Sequence, residues 1–208
     1  MKRLWFMLTG VMAASFAVLG WIGTRIYQEM PPIPDRVVTT EGRTVIEPGA
    51  IGEGQNVWQT MGGMEVGSVW GHGSYVAPDW TADWLHRECA FLLDRWAEAE
   101  FQAKYDALSL ERQAQLRGRL EWLMRPNTYD PATKTLTIDP ARAAAFEANV
   151  RHYDEVFREG NVSYAIPKGA LTDPDRVRKL ASFFFWTAWA GTTNRPGECA
   201  FSACCRSA

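Results

Sequence analysis

The apolar positions of this 208-residue chain form one unbroken run near the start and several periodic stretches after it. Leu4 to Thr24, LWFMLTGVMAASFAVLGWIGT, holds 21 residues without a charge. As a helix such a run covers about 30 Å, the hydrocarbon thickness of a bilayer. Lys2 and Arg3 precede it, and Trp5, Trp21 and Tyr27 stand near its ends, where interfacial aromatics belong. A cleaved signal peptide shares the basic start. Its apolar region, however, spans only ~7–15 residues, and no clear Ala-x-Ala site follows here. The pattern therefore predicts a transmembrane anchor over residues 1–29. Lys2 and Arg3 place its N-terminus in the cytoplasm, with Arg25 weakening the asymmetry.

Met30-Pro31-Pro32-Ile33-Pro34 ends that helix and opens an extended linker. Val37-Val38 and Thr44-Val45-Ile46 are short β-type runs around a turn at Glu41-Gly42. From Gln55 to Trp80 the chain is rich in Gly and Trp and shows neither helical nor strand period, so no regular element is predicted there. Thr81 is the predicted cap of a helix with Leu85, Cys89, Leu92 and Trp96 on one face. A second helix begins at Ser109, carries Leu116, Leu120 and Leu123, and stops at Arg125-Pro126. Asp139-Pro140 and Asp173-Pro174 each pair a capping aspartate with a proline in the first turn and predict two further helices. The first bears Phe146, Val150, Tyr153 and Phe157, the second Val177, Leu180, Phe184 and Ala188. These stripes read as core, because short helices are stable only when one face is buried. Leu180 to Gly191 is apolar over 12 residues, too short for a crossing, and predicts a buried or interfacial helix. Its other face, with Trp186 and Trp189, is expected to rest on the membrane or on a partner helix.

Composition narrows the function. A hydrophobic fraction of 47% supports a real core, and a net charge of −2 gives no electrostatic case for nucleic acid. His72, His86 and His152 are scattered, with no metal-site spacing among them. Three of the four cysteines, Cys199, Cys204 and Cys205, fall in the last ten residues, a Cys-rich tail over 198–208. That tail reads as a soft-metal or redox segment, or as an out-of-frame or truncated end. Adjacent cysteines rarely bond one another, and no His or Asp stands nearby to complete a site.

Gly71-His72-Gly73-Ser74-Tyr75-Val76-Ala77-Pro78 closely resembles a Gly-x-Gly-x-Tyr-x-Ala-Pro motif of bacterial nitric oxide reductases. In haem-bearing relatives a Cys-x-x-Cys-His sequence precedes that motif by a few residues. Here Gly63, Val66 and Gly67 occupy the attachment positions, which leaves no thiol for the vinyl groups and no imidazole for the iron. That combination resembles the quinol-dependent nitric oxide reductases, where the haem-c subunit is fused to the catalytic one and has lost its haem. The Phe-Phe-x-Trp-Thr-Ala-Trp-Ala and Thr-Asn-Arg-Pro-Gly sequence of residues 183–197 matches the same family. After Gly197 the family pattern, Tyr-Thr-Asn-Asn-Trp-Pro and a dozen membrane helices, is expected to be lost.

The resemblance implies a mainly α chain: an N-terminal transmembrane helix, then a cytochrome-c-like helical periplasmic domain over 30–197 with a short β or extended element and no haem c. It implies the bacterial inner membrane, single-pass, with the domain in the periplasm. The family reduces nitric oxide to nitrous oxide with two b haems and a non-haem iron on membrane helices absent from these residues. The chain alone is thus expected to be non-catalytic, an interface element whose partners are membrane lipid, the catalytic helices and, in the full-length protein, quinol. The resemblance also implies a shared calcium site, with the backbone carbonyl of Gly73 and the side chain of Tyr75 as ligands; the alternative for this chain is that Gly73 supplies a turn and Tyr75 packs into the interface. Two oxygens fall short of the six to eight that calcium takes, so the rest must come from elsewhere. A stand-alone anchored periplasmic binding module remains as an alternative, its only candidate surface the Trp58, Trp70, Trp80 and Trp84 set. A haem or metal electron carrier is disfavoured by the missing Cys-x-x-Cys-His. A Trp-rich face left without its membrane partner further predicts poor solubility.

Overall fold

The computed structural model describes residues 2–72 and 77–195. The chain divides into two compact units, Met1–Pro32 and Ile33–Ala208. The first is essentially one helix, α1 (Lys2–Glu29), which encloses the whole apolar run and buries none of its residues. Among the described residues it is the one helix long and apolar enough to cross a membrane.

The second unit joins a small sheet to a helical core. β1 (Arg36–Thr39) and β2 (Thr44–Ile46) form the predicted hairpin, with Gly42 taking φ of 82° at the turn. Sequence reading missed β3 (Tyr129–Asp130) and β4 (Thr135–Ile138). Strand order is β2-β1-β4-β3, with β4 parallel to β1 and antiparallel to β3. Thr135-Leu136-Thr137-Ile138 does alternate, with Leu136 and Ile138 inward. β4 takes its place in the sheet through β1, 99 residues earlier, which offers it a partner.

Helix α2 (Ala50–Thr60) corrects the expectation of irregular structure from Gln55 onward. Gly52 and Gly54 disguise it in the sequence, since glycine weakens an isolated helix. Packing restores it: Ile51, Val57 and Trp58 are buried, and Gly54 lies directly against the backbone of Lys179. After it come a 3₁₀ turn at Gly63–Glu65 and then α3 (Trp80–Phe101). The cap of α3 is Asp79, not Thr81, and its side chain accepts from the Ala82 N–H. Cys89 lies only half-buried, while Trp80, Trp84, Glu88, Leu92 and Trp96 are buried. The inward stripe is thus turned from the one predicted, and it includes a carboxylate.

Helices α4 (Leu110–Met124), α5 (Pro140–Glu159) and α6 (Pro174–Thr192) begin where the capping pattern placed them. Asp139 accepts from Ala141 N–H at 2.7 Å and Asp173 from Asp175 N–H at 3.0 Å. Ser109 occupies the cap of α4 without a side-chain hydrogen bond. Phe146, Tyr153, Phe157, Val177, Leu180, Phe184 and Ala188 are all buried as predicted.

Helix α6 is the axis of the core. Every residue from Leu180 to Trp189 is buried, so the expected outward face with Trp186 and Trp189 does not exist. Helices α2, α3 and α5 surround it. Trp80 sits at the centre, stacked on Phe184 at 4.8 Å and meeting Tyr153 and Tyr164 edge-on. A smaller cluster of Leu92, Trp96, Leu116 and Met124 joins α3 to α4. Of the four tryptophans offered as a binding surface, Trp58, Trp80 and Trp84 are buried, and only Trp70 is substantially exposed, at 43%. The Trp-rich face and the poor solubility drawn from it therefore lose their basis in this unit: the indoles are its core.

Candidate functional site

The Gly/Trp segment emerges from the 3₁₀ turn as a loop with a tied neck. Trp58 Nε1 donates to the Gly67 carbonyl at 3.1 Å. Gly67 has φ of 142°, and a side chain there would meet the Trp80 indole nitrogen at 2.2 Å. Only glycine fits that contact. Ser68 N–H donates to the Pro78 carbonyl and Trp80 N–H to the Ser68 carbonyl, closing the two ends of the loop on each other.

Asp79 holds the neck with both carboxylate oxygens. Oδ1 accepts from Ala82 N–H, the helix cap, while Oδ2 accepts from Ser68 Oγ at 2.8 Å and Gly71 N–H at 2.6 Å. One residue thus starts α3 and fixes the approach to the loop tip. Thr81, freed from capping, accepts from Trp70 N–H and donates to Thr187 Oγ1 on α6. Trp70 Nε1 donates to the Thr187 carbonyl, and its ring meets Trp186 edge-on at 5.3 Å. Trp70 takes φ of 55°, an unfavourable value for a side chain this large, and these contacts hold it there. Gly73 and Tyr75, the predicted calcium ligands, lie outside the described residues. His72, on the loop before them, uses its backbone N–H on the Val69 carbonyl at 3.4 Å.

Beneath the neck α3 carries two polar clusters. Asp83 accepts from Arg87 Nε at 3.0 Å, Tyr153 Oη at 2.9 Å and Tyr164 Oη at 2.5 Å, and Arg87 Nη2 donates to Tyr164 Oη at 2.7 Å. Burial, then the charge of Asp83, pushes the Tyr153 hydroxyl well above its ordinary pKa. Burial and then the nearby Arg87 charge lower that of His152, whose Nε2 is buried without a hydrogen-bond partner among the described residues. One turn on, Glu88 accepts from Trp84 Nε1 at 3.0 Å and Arg142 Nε at 2.7 Å, a fully buried ion pair. Sequence reading named Tyr153 as core, Trp84 as a surface candidate and His152 as a scattered histidine, but not Asp83, Arg87, Tyr164, Glu88 or Arg142. Asp83 and Arg87 carry the i,i+4 spacing of a helical ion pair, but Glu88 inside an apolar stripe gave no sign of its partner 54 residues away.

These clusters brace the helices: α3 to α5 through Tyr153 and Arg142, and α3 to the turn at Tyr164. Cys89 is free, and burial followed by the Glu88 charge raises its thiol to about 11, so it stays protonated at neutral pH. His72, His86 and His152 do not converge: among the described residues no three His, Cys, Asp or Glu groups meet to hold a metal. The attachment positions do not fit haem c. Gly63 and Val66 offer no thiol, and the place where an imidazole would project from residue 67 is filled by Trp80.

Taken together, these features define a helical unit that follows a long apolar helix in the chain, with a braced Gly/Trp loop and, at positions 63, 66 and 67, neither thiol nor imidazole. The chain belongs to the family of NorB cytochrome c-like domains of nitric oxide reductase, whose model matches residues 34–202. The match runs past Gly197, where similarity was expected to end. No curated protein matches the chain.

Proposed function

We propose that this chain is the membrane-anchored, haem-free cytochrome-c-like region of a quinol-dependent nitric oxide reductase, acting there as an interface element. Haem-bearing relatives of this kind pass electrons through their haem c. The observation that carries the reading is Gly63, Val66 and Gly67 at the attachment positions, with Trp80 packed against Gly67. A region so built cannot relay electrons, so quinol must deliver them directly to the catalytic helices. Those helices, with their b haems and non-haem iron, lie outside these 208 residues.

In this reading α1 crosses the bacterial inner membrane with its N-terminus in the cytoplasm, and the domain stands in the periplasm. The braced loop faces the catalytic helices, and Gly73 and Tyr75, which follow His72 in the sequence, supply two of the oxygens around a shared calcium ion. Calcium needs several more, which makes the site a clamp between two regions and gives the isolated chain little affinity for it.

The test uses the full chain purified in detergent. A haem-staining gel and reduced spectrum should show no c-type haem, and quinol-driven nitric oxide consumption should be absent. Adding the catalytic membrane region should give a complex that survives gel filtration and loosens on chelation of calcium. A covalent haem band, or nitric oxide consumption by the chain alone, would sink the proposal.

A further inference from the structure

Helix α4 packs on the domain by one face, through Leu116, Leu120, Leu123 and Met124, and turns the rest to solvent. Along the middle of that outer surface run Glu111, Gln115, Gly118, Trp122 and Arg125, spaced 4, 3, 4 and 3 residues apart and all exposed. Such spacing draws a straight stripe down a helix, the pattern of a surface that meets another helix. Arg125, the cap residue, keeps helical angles of φ −77° and ψ −36°, so the stripe holds to its end. Nothing in the proposed function uses this face.

Two residues of the stripe do not suit a surface that meets only water. Gly118 weakens the helix relative to alanine, yet its φ is not positive and a Cβ built on it meets no atom within 4 Å. Gly54 and Gly67 are glycines because atoms of this chain press on them. At Gly118 the chain itself supplies no such reason. Trp122 is 71% exposed, whereas Trp58, Trp80, Trp84, Trp186 and Trp189 are buried. A cavity of about 760 Å³ opens beside this half of the helix with Trp122 in its wall.

The stripe is its own complement. Glu111 and Arg125 stand seven residues from Gly118 on opposite sides, and Ala114 and Trp122 stand four. Let a second α4 lie antiparallel on the first with the two Gly118 residues facing. Glu111 of each copy then meets Arg125 of the other, Trp122 settles on Ala114 and Gln115, and Arg117 comes alongside Glu121. The missing side chain at 118 lets the two backbones approach where they cross. A two-fold axis makes every contact twice. Arg112 and Arg119 lie on the flanks and are already engaged, Arg112 over the Phe101 ring at 4.6 Å and Arg119 with Glu100 at 2.6 Å.

We propose that two copies of this chain associate through α4, antiparallel and centred on Gly118. Charge selects the partner: an acid at one end, a base at the other and a tryptophan one turn from a central gap are complementary to the same helix reversed. One helix per copy is a small interface. Its surface ion pairs set register more than affinity, and Trp122 supplies the main contact. The proposal is independent of the reductase reading and stands or falls separately.

The test starts from the full chain in detergent with Cys89, Cys199, Cys204 and Cys205 replaced by alanine. Adding Gly118→Cys should give a disulfide-linked dimer under mild oxidant, because residue 118 faces itself. Glu111→Cys alone should give none, since its two copies lie about 21 Å apart. Glu111→Cys together with Arg125→Cys should link. In the parent chain, read by sedimentation velocity, Trp122→Ala and Gly118→Leu should each weaken association at least tenfold. Gly118→Leu should nonetheless melt at or above the parent temperature, a split that a folding role does not produce. Glu111→Arg should weaken association and Glu111→Arg with Arg125→Glu should restore it. Within one chain those residues are about 21 Å apart, so only pairing between copies gives that rescue. A chain that stays monomeric, equal crosslinking at 111 and 118, or a double swap that restores nothing would overturn the proposal. So would a 118 disulfide lost on adding the catalytic membrane region, because that region would then be the occupant.

Discussion

Replacing Gly54 by alanine should damage this fold although alanine is the better helix former. A Cβ at residue 54 would lie 1.9 Å from the Lys179 carbonyl oxygen, 2.6 Å from its carbon and 3.0 Å from Phe183 Cβ. Real Cβ atoms stay beyond 3.0 Å, so α6 would have to retreat from α2 by at least 1.1 Å. The obstructing atoms are backbone and cannot rotate aside. Retreat would also part Trp58 from Phe183, whose rings now sit 5.6 Å apart. Overpacking costs about 1–3 kcal/mol, and a backbone collision belongs at the upper end. Against this, alanine gains at most ~1 kcal/mol in helix propensity. The net loss of about 2 kcal/mol should lower the melting temperature by roughly 4–8 °C for a domain of this size. Gly52 is the internal control: it lies in the same helix, and nothing stands within 4 Å of its Cβ position. Gly52→Ala should be neutral or stabilise by up to ~1 kcal/mol. Thermal and urea unfolding of the full chain in detergent, followed by tryptophan fluorescence, reads both variants. If Gly54→Ala melts at or above the parent, or both variants lose equally, the close approach of α2 and α6 is wrong.

Three further perturbations probe the polar framework. Arg142→Met leaves the Glu88 carboxylate buried and unpaired, and should cost about 3–5 kcal/mol. Adding Glu88→Gln should recover most of that loss in urea midpoints, and failure to recover would assign the loss to packing. His152 has its pKa lowered in the fold, first by burial and then by Arg87, so the folded state favours the neutral ring. Its contribution is complete above the ordinary histidine pKa of about 6.5 and is lost as pH falls from there through the lower folded value. His152→Gln should flatten that part of a melting-temperature profile between pH 8 and 5, and an unchanged slope would exclude His152 as the source. Asp79→Ala removes the α3 cap and both loop ties, at about 1–2 kcal/mol for the cap alone. Asp79→Asn keeps an oxygen for Ala82 N–H and should lose less stability while still exposing the loop to limited proteolysis. Equal proteolysis of parent and Asn variant would remove Asp79 from loop positioning.

Local rules were enough wherever the signal was local. The uncharged run of α1, the hairpin turn at Gly42 and the Asp-Pro starts of α5 and α6 are each written within a few residues, and each stands where the pattern placed it. The family was legible for a similar reason: residues 71–78 and 183–197 carry motifs that are contiguous in the chain. The missing Cys-x-x-Cys-His was legible too, because a covalent attachment needs particular side chains at a set spacing.

What the sequence could not decide on its own was everything that depends on a distant partner. Helix α2 looked irregular because its glycines count against it until the backbone of Lys179 supplies the reason for one of them. Strand β4 needed β1, and Glu88 needed Arg142. The tryptophans posed the same problem with the opposite outcome. Their number suggested an exposed binding face, yet Trp58, Trp80, Trp84, Trp186 and Trp189 close the core around α6. An indole is apolar enough for a core and polar enough for a surface, so composition cannot choose between them. The sequence by itself determined where helices start, which stretch is long and apolar enough to enter a membrane, and that positions 63, 66 and 67 carry neither thiol nor imidazole. Tertiary packing decided which faces turn inward, which charges pair and which cavity stays open, because burial and ion pairing are properties of residues brought together from far along the chain.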